Sequence, residues 1–224
     1  MTSRAELGEA WKDAGIPGKQ MRRSTRSELA SLRAGNPPEV YAIAAEALRA
    51  IPGSGKLTLL DMGCATGYYS EAISVLAGDR FEYAGADYSD AMLAVARGKY
   101  PDITFLNLDI RHIELPDRAY DVVLSGATLM HIAGWKGAAR ELARITGSYL
   151  ILHRTPVTEG KTSATEESAY NVRVLANTFN EAELWLLLVK CGFYNIFLKS
   201  VYPKGGNITY VFERLQNHPI TQDH

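Results

Sequence analysis

At 224 residues, with 46% hydrophobic and 22% charged side chains, the chain has the make-up of a globule folded around one core, which excludes a disordered segment. Its formal net charge of -1 leaves no electrostatic excess to hold nucleic acid or an anionic membrane. Its two cysteines, Cys64 and Cys191, form no CxxC pair or regular framework, so neither a disulfide scaffold nor a metal site is expected. The opening Met1 to Glu6 lacks the apolar core of a secretory signal and no later run is long enough to span a bilayer; a soluble, cytoplasmic protein is the expectation.

The first boundary is Gly35-Asn36-Pro37-Pro38, which ends whatever helix precedes it. From Glu39, Val40, Ile43, Ala44, Ala47, Leu48 and Ile51 recur at helical spacing, and Pro52-Gly53-Ser54-Gly55 stops that helix. Short apolar runs then alternate with helical stretches, the pattern of βαβ units and a largely parallel sheet. Strands are expected near Leu57 to Asp61, Glu82 to Asp87, Thr104 to Leu108, Asp121 to Ser125 and Ser148 to Arg154. The helix from Tyr68 stops at Gly78, and Ser89 is a good N-cap for the next. Trp135, Ala138, Leu142 and Ile145 mark another helix. Asn180 with Glu183 resembles a capping box opening one that Gly192 closes. Tyr194 to Tyr202 and Ile208 to Leu215, separated by Pro203-Lys204-Gly205-Gly206-Asn207, read as an antiparallel hairpin. Residues 1–52 are expected to form a helical cap and residues 53–224 the main domain.

The strongest local signal is Leu59-Leu60-Asp61-Met62-Gly63-Cys64-Ala65-Thr66-Gly67-Tyr68, a buried strand entering a turn of small residues and then a helix. Gly63, Ala65 and Gly67 lack bulk at alternate positions, so main chain can approach a ligand at the carboxyl end of the strand, where open α/β sheets bind ligands. Such a turn also serves purely structural ends, but its neighbours point the same way. The second strand ends at Asp87, near the separation of about 20 residues at which a carboxylate meets a nucleoside ribose. The third ends in Leu108-Asp109-Ile110 and the fourth in Ser125-Gly126. Capping or solvated loop aspartates are the bland alternative for Asp87 and Asp109 taken singly.

With these residues in place, the chain resembles the class I S-adenosylmethionine-dependent methyltransferases, in particular the bacterial small-molecule methylase group, over about Leu57 to Leu215. The motifs are Leu60 to Gly67, Gly85-Ala86-Asp87-Tyr88-Ser89, Leu108-Asp109-Ile110 and Tyr120 to Ser125. The resemblance implies an α/β fold: a Rossmann-like, doubly wound, mostly parallel sheet with an antiparallel last strand and helices on both faces. It also implies that the turn of Gly63, Cys64, Ala65, Thr66 and Gly67 packs against the methionine part of the cofactor, with Asp61 on its amino group. Asp87 would take the ribose hydroxyls, Tyr88 and Met92 would flank the adenine, and Asp109 would meet its exocyclic amine. Ile110 would lie against its ring and Ser125 near the methionyl group. Ala65 departs from the glycine common there.

Methyl transfer needs an acceptor held in line and water excluded, and a hydroxyl or protonated amine acceptor gains from a general base. His131 and His153 are the two histidines near the expected site, each with the alternative of simple packing. A polar stretch from Thr155 to Phe179 reads as a long lid-like loop, and Arg154 just before it and Tyr170 and Arg173 within it are candidates to bind an acidic or sugar-like acceptor. The partner expected is a small molecule, with neither nucleic acid nor membrane. Two other readings stand beside this one. A nicotinamide oxidoreductase shares the strand-end aspartate but needs GxGxxG, where this chain has Gly63-x-Ala65-x-Gly67. A non-catalytic module that keeps the fold for binding is the second.

Overall fold

The computed structural model describes residues 4–21, 27–201 and 206–216. The chain enters through three short helices, α1 (Arg4–Glu9), α2 (Ile16–Gln20) and α3 (Leu29–Arg33). The break at Gly35 to Pro38 follows, and α4 (Glu39–Arg49) buries the whole apolar stripe that its spacing forecast. Residues 22–26 lie outside the described residues, as does the 202–205 part of the expected last hairpin.

Strand β1 (Leu57–Met62) leads through the small-residue turn into α5 (Tyr68–Ala77), which Gly78 ends with a φ of +72°. β2 (Phe81–Asp87) and α6 (Asp90–Lys99) follow, the helix capped by Ser89, and then β3 (Thr104–Asn107) and β4 (Tyr120–Gly126). α7 (Trp135–Ile145) runs directly into β5 (Thr146–Thr158). The five strands lie in the order β3-β2-β1-β4-β5 and all pair in parallel.

The stretch expected as a long loop is a hairpin: β6 (Ser163–Ala169) pairs antiparallel with β7 (Val172–Asn180), whose end lies parallel to the far end of β5. Its connection is the two-residue turn Tyr170-Asn171, both at positive φ (51° and 67°), the conformation of type I′ turns. Asparagine tolerates that conformation but tyrosine is an unusual occupant, so the usual turn signal is missing. The alternation is missing too, because Val174 to Asn177 is buried on both faces.

α8 (Glu181–Lys190) is capped by Asn180, whose Oδ1 accepts the Glu183 amide at 2.8 Å. β8 (Phe193–Val201) and β9 (Asn207–Arg214) close the fold, β9 lying antiparallel against β5 with β8 outside it. The mostly parallel sheet with an antiparallel last strand is therefore as expected.

Strand parity sends alternate side chains to two cores. Leu59, Val122, Leu124 and Ile151 pack with α4 and α5, whereas Leu60, Val123, Leu150 and Leu152 pack with α7 and α8. Phe179 stitches β7 to the second of these cores, fully buried with its ring 4.9 Å from that of Trp135. Phe179→Ala is predicted to destabilise the protein by about 3–5 kcal/mol, the loss typical of a deleted core aromatic, measured by urea unfolding. A loss below about 1 kcal/mol would mean that the hairpin is not part of the cooperative core.

Candidate functional site

The turn after β1 is fixed by main-chain bonds to the next strand: the amides of Gly63 and Cys64 both donate to the Ala86 carbonyl, at 2.7 and 2.9 Å. Gly63 has a φ of +87°, and a Cβ there would lie 2.1 Å from Thr128 Oγ1, so no larger residue fits. Ala65 also takes a positive φ, 51°, and its amide donates to Asp87 Oδ2 at 3.0 Å. Asp87 Oδ1 accepts the Ser89 amide at 2.9 Å, so one carboxylate joins the turn after β1 to the turn after β2. Burial pushes the Asp87 pKa up, and the amides of Ser89, Ala65 and Tyr88 pull it back.

A cavity of about 200 Å³ runs along these strand ends. Gly63, Ala65 and Asp87 form its floor, with Tyr88 and Met92 from the start of α6 beside them. Asp109 and Ile110, after β3, line the same end. At the far end stand His131, Arg154 and Tyr170, so the fold gathers ten of the residues chosen from sequence around one space.

Seven others do not line it. Asp61 lies behind the turn, with Tyr83 Oη donating to its Oδ2 at 2.7 Å. Cys64 packs against Leu93, Ala96 and Phe105, and burial pushes its thiol pKa up, so it is not a nucleophile. Thr66 Oγ1 donates to Gln20 Oε1 at 3.0 Å, and Gly67 is the left-handed N-cap of α5. Ser125 Oγ is buried with no hydrogen-bond partner among the described residues.

Two of the seven require correction. His153 is not a candidate base: it has no exposed surface, its Nδ1 meets Thr209 Oγ1 at 2.8 Å and its Nε2 meets Tyr69 Oη at 3.0 Å. Strand parity is the reason, since His153 shares the Ile151 face of β5, which is covered by α5. Arg173 stands on the exposed side of β7 and pairs with Glu166 across the hairpin, away from the cavity.

The structure adds residues that the sequence did not single out for the site. Trp11 lines the far end, its ring 4.8 Å from His131 and 6.0 Å from Tyr170. Tyr68 and Thr128 line the cavity as well. Arg111 holds Asp109 through its Nε, at 2.9 and 3.0 Å, and also reaches Glu9 at 2.8 Å, which keeps the Asp109 pKa below the ordinary carboxylate value. Position Arg111, two residues after Asp109, was the available signal. The N-terminal piece that carries Trp11 reads from sequence only as a cover for the cleft; its approach depends on how that segment folds back: Tyr88 Oη donates to the Gly8 carbonyl at 2.6 Å and Lys19 Nζ to the Tyr170 carbonyl at 2.7 Å.

The sheet order and the antiparallel strand beside β5 make this a Rossmann-like α/β domain, with the glycine turn and the carboxylate ending β2 together at its strand ends. Residues 60–151 match the methyltransferase domain family. A probable S-adenosylmethionine-dependent methyltransferase of Mycobacterium tuberculosis is 27% identical over 147 residues, 64% of this chain and 51% of the relative. Demethylmenaquinone methyltransferase of Bacillus licheniformis is 31% identical over 91 residues, 39% of each chain. The chain thus spans about half the length, or less, of these curated relatives. Among solved structures, magnesium protoporphyrin IX methyltransferase of Synechocystis, with bound S-adenosylmethionine, superposes with a TM-score of 0.66. It is 18% identical over 96% of this chain and 98% of that one, a likeness of fold.

The one strongly perturbed carboxyl behind the site gives a stability prediction. Burial pushes the Asp61 pKa from 3.8 up to about 7, with the nearby Asp87 adding to the rise and the Tyr83 hydroxyl opposing it. A carboxyl whose pKa is raised on folding holds more protons folded than unfolded between those values, so its stability contribution falls as pH rises from about 4 to about 7. Asp61→Asn is predicted to flatten that decline, read from urea midpoints across the window; an unchanged pH dependence would refute it.

Proposed function

We propose that this protein transfers a methyl group from S-adenosylmethionine to a small-molecule acceptor. The observation that carries the reading is the single cavity along the strand ends, with Asp87 and the glycine turn at one end and His131 at the other. The residues present suit the cofactor: Gly63 and Ala65 line the cavity with main chain and little side chain, and Asp87 puts a carboxylate in the same lining.

When bound, the cofactor supplies an electrophilic sulfonium methyl. In this reading Asp87 accepts from the ribose hydroxyls. Met92 and Ile110 give the adenine apolar surface beside Tyr88, and Asp109, tethered by Arg111, marks the outer edge. Asp61, Cys64, Thr66, Gly67 and Ser125 are assigned the support of the turn and of its neighbouring strand, since none lines the cavity. The N-terminal segment of residues 1–52 is assigned the cap, through Gly8, Trp11 and Gln20.

His131 is the proposed general base. Its Nδ1 lies 2.6 Å from the Leu175 carbonyl, which can only accept, so Nδ1 carries the proton and Nε2 keeps its lone pair. Burial and then the charge of Arg154 push its pKa below 6.5, which leaves Nε2 unprotonated at neutral pH and able to take a proton from a hydroxyl or amine. Support for a small acceptor comes from the cavity of about 200 Å³, the net charge of -1 and the acceptors that name the relatives, demethylmenaquinone and magnesium protoporphyrin IX.

Asp87→Ala is predicted to weaken S-adenosylhomocysteine binding about 10- to 100-fold by calorimetry, since hydrogen bonds to a charged group are lost. Unchanged affinity would remove Asp87 from the site. His131→Gln, assayed by transfer of labelled methyl to an acceptor found by screening, is predicted to lower turnover by about 10² to 10⁴ with S-adenosylhomocysteine affinity kept. Wild-type turnover in that variant would leave no base role for His131.

A further inference from the structure

The far end of the cavity is walled by rings that core packing does not account for. Trp11, His131 and Tyr170 line it. They arrive from three separate places: the single-turn helix Ala10–Lys12, the single-turn helix Leu129–His131 and the turn between β6 and β7. Trp11 lies between the other two, its ring 4.8 Å from that of His131 at 52° and 6.0 Å from that of Tyr170 at 72°. All three are only partly buried, and neither Trp11 nor Tyr170 belongs to either of the two cores.

Tyr170 takes the first position of its two-residue turn at a φ of +51°, a conformation that glycine and asparagine suit far better than tyrosine. A bulky residue kept in the left-handed region points to a use for the side chain that the turn alone does not supply. Its main chain is pinned from outside the hairpin, since Lys19 Nζ donates to the Tyr170 carbonyl at 2.7 Å. The chain around His131 is pinned to β7 as well: the Met130 and Ile132 carbonyls accept from Asn177 Nδ2 at 2.8 and 3.0 Å, and the Leu175 carbonyl holds the imidazole. The rings are therefore preset as a wall, with Ile132 and Ala133 as lining beside them.

Such a wall favours a flat ring over a saturated one of the same size, because ring pairs gain from offset and edge-to-face contact beyond the area they bury. The base within the wall sets the acidity of the group it can serve. His131 is a weak base, its pKa held below 6.5 chiefly by burial. A phenolic hydroxyl, with an ordinary pKa of about 10, can hand its proton to such a base as the new bond forms, whereas an alkanol, close to the value of about 15.7 for water, is too weak an acid. Wall and base thus select the same kind of molecule.

Resting on the proposed methyl-transfer reading, we infer that the acceptor is a phenol, its flat ring against Trp11 and Tyr170 and its hydroxyl at His131 Nε2, so that Trp11 and Tyr170 are specificity-determining residues. In the step, the phenol oxygen bonds to the methyl carbon as the carbon–sulfur bond breaks. The electron pair of that bond stays on sulfur, leaving a neutral thioether, and the phenolic proton passes to His131 Nε2.

The test is calorimetric titration of the full chain, with and without saturating S-adenosylhomocysteine, using 4-ethylphenol, 4-ethylcyclohexanol and phenyltrimethylammonium as probes. 4-Ethylphenol is expected to bind best, about 10-fold more tightly than the saturated alcohol. Trp11→Leu should lower that ratio about 2- to 10-fold. Tyr170→Asn suits the left-handed backbone, so it should keep the wild-type urea midpoint while lowering the ratio by a similar factor, a pairing that a packing role for the ring would not give. With labelled S-adenosylmethionine, the label should enter the phenol and not the alcohol. Equal binding of phenol and alcohol, preference for the ammonium, a ratio indifferent to both variants, or methylation of the alcohol alone would each overturn the inference. If wild type ignores S-adenosylhomocysteine yet still prefers the phenol through Trp11 and Tyr170, the methyl-transfer reading fails and the ring site stands; binding of S-adenosylhomocysteine with no ring preference keeps the cofactor and removes the phenol.

Discussion

Asp87 is buried with its carboxylate between two main-chain turns, and both turns take their shape from it. One oxygen receives the Ala65 amide and the other the Ser89 amide, so the positive φ at Ala65 and the start of α6 are set by the same group. Burial of a charge is unfavourable unless donors surround it, and here main chain supplies them. The arrangement holds Gly63 against Thr128, keeps the Ala86 carbonyl occupied by two amides and leaves the carboxylate at the cavity floor.

That constraint was legible in the sequence because it is local. A strand, a run of small residues, and an acidic residue ending the next strand are each read from neighbours along the chain, and α4 and the Ser89 cap were legible for the same reason. The hairpin of β6 and β7 was not. Its turn, Tyr170-Asn171, lacks glycine, and its second strand is covered on both faces: Leu175 meets His131, while Asn177 Nδ2 reaches the carbonyls of Met130 and Ile132 at 2.8 and 3.0 Å. A period of two cannot appear where neither face is wet.

The site shows the same division. Arg154 was picked with the polar stretch after β5 and His131 by its nearness to a strand end, and both line the cavity. His153 was picked near a strand end as well and faces the other way, because proximity to a strand end does not say which face a side chain takes, and His153 keeps the parity of Ile151. For Trp11 the sequence offered only that its N-terminal piece covers the cleft, not which wall it joins. Its place depends on contacts between the N-terminal segment and residues far along the chain, among them Lys19 with Tyr170, which no local pattern encodes.

One cavity has Asp87 in its lining at one end and His131 at the other, which in the proposed reading divides cofactor binding from reaction along the sheet edge. The central claim is that its first end holds a sulfonium nucleoside. Calorimetric titration of the purified protein with S-adenosylmethionine and S-adenosylhomocysteine, with a nicotinamide dinucleotide as control, tests it most directly. Saturable one-to-one binding of the first two and none of the dinucleotide is the predicted result; a folded sample that binds neither, or that prefers the dinucleotide, would contradict it.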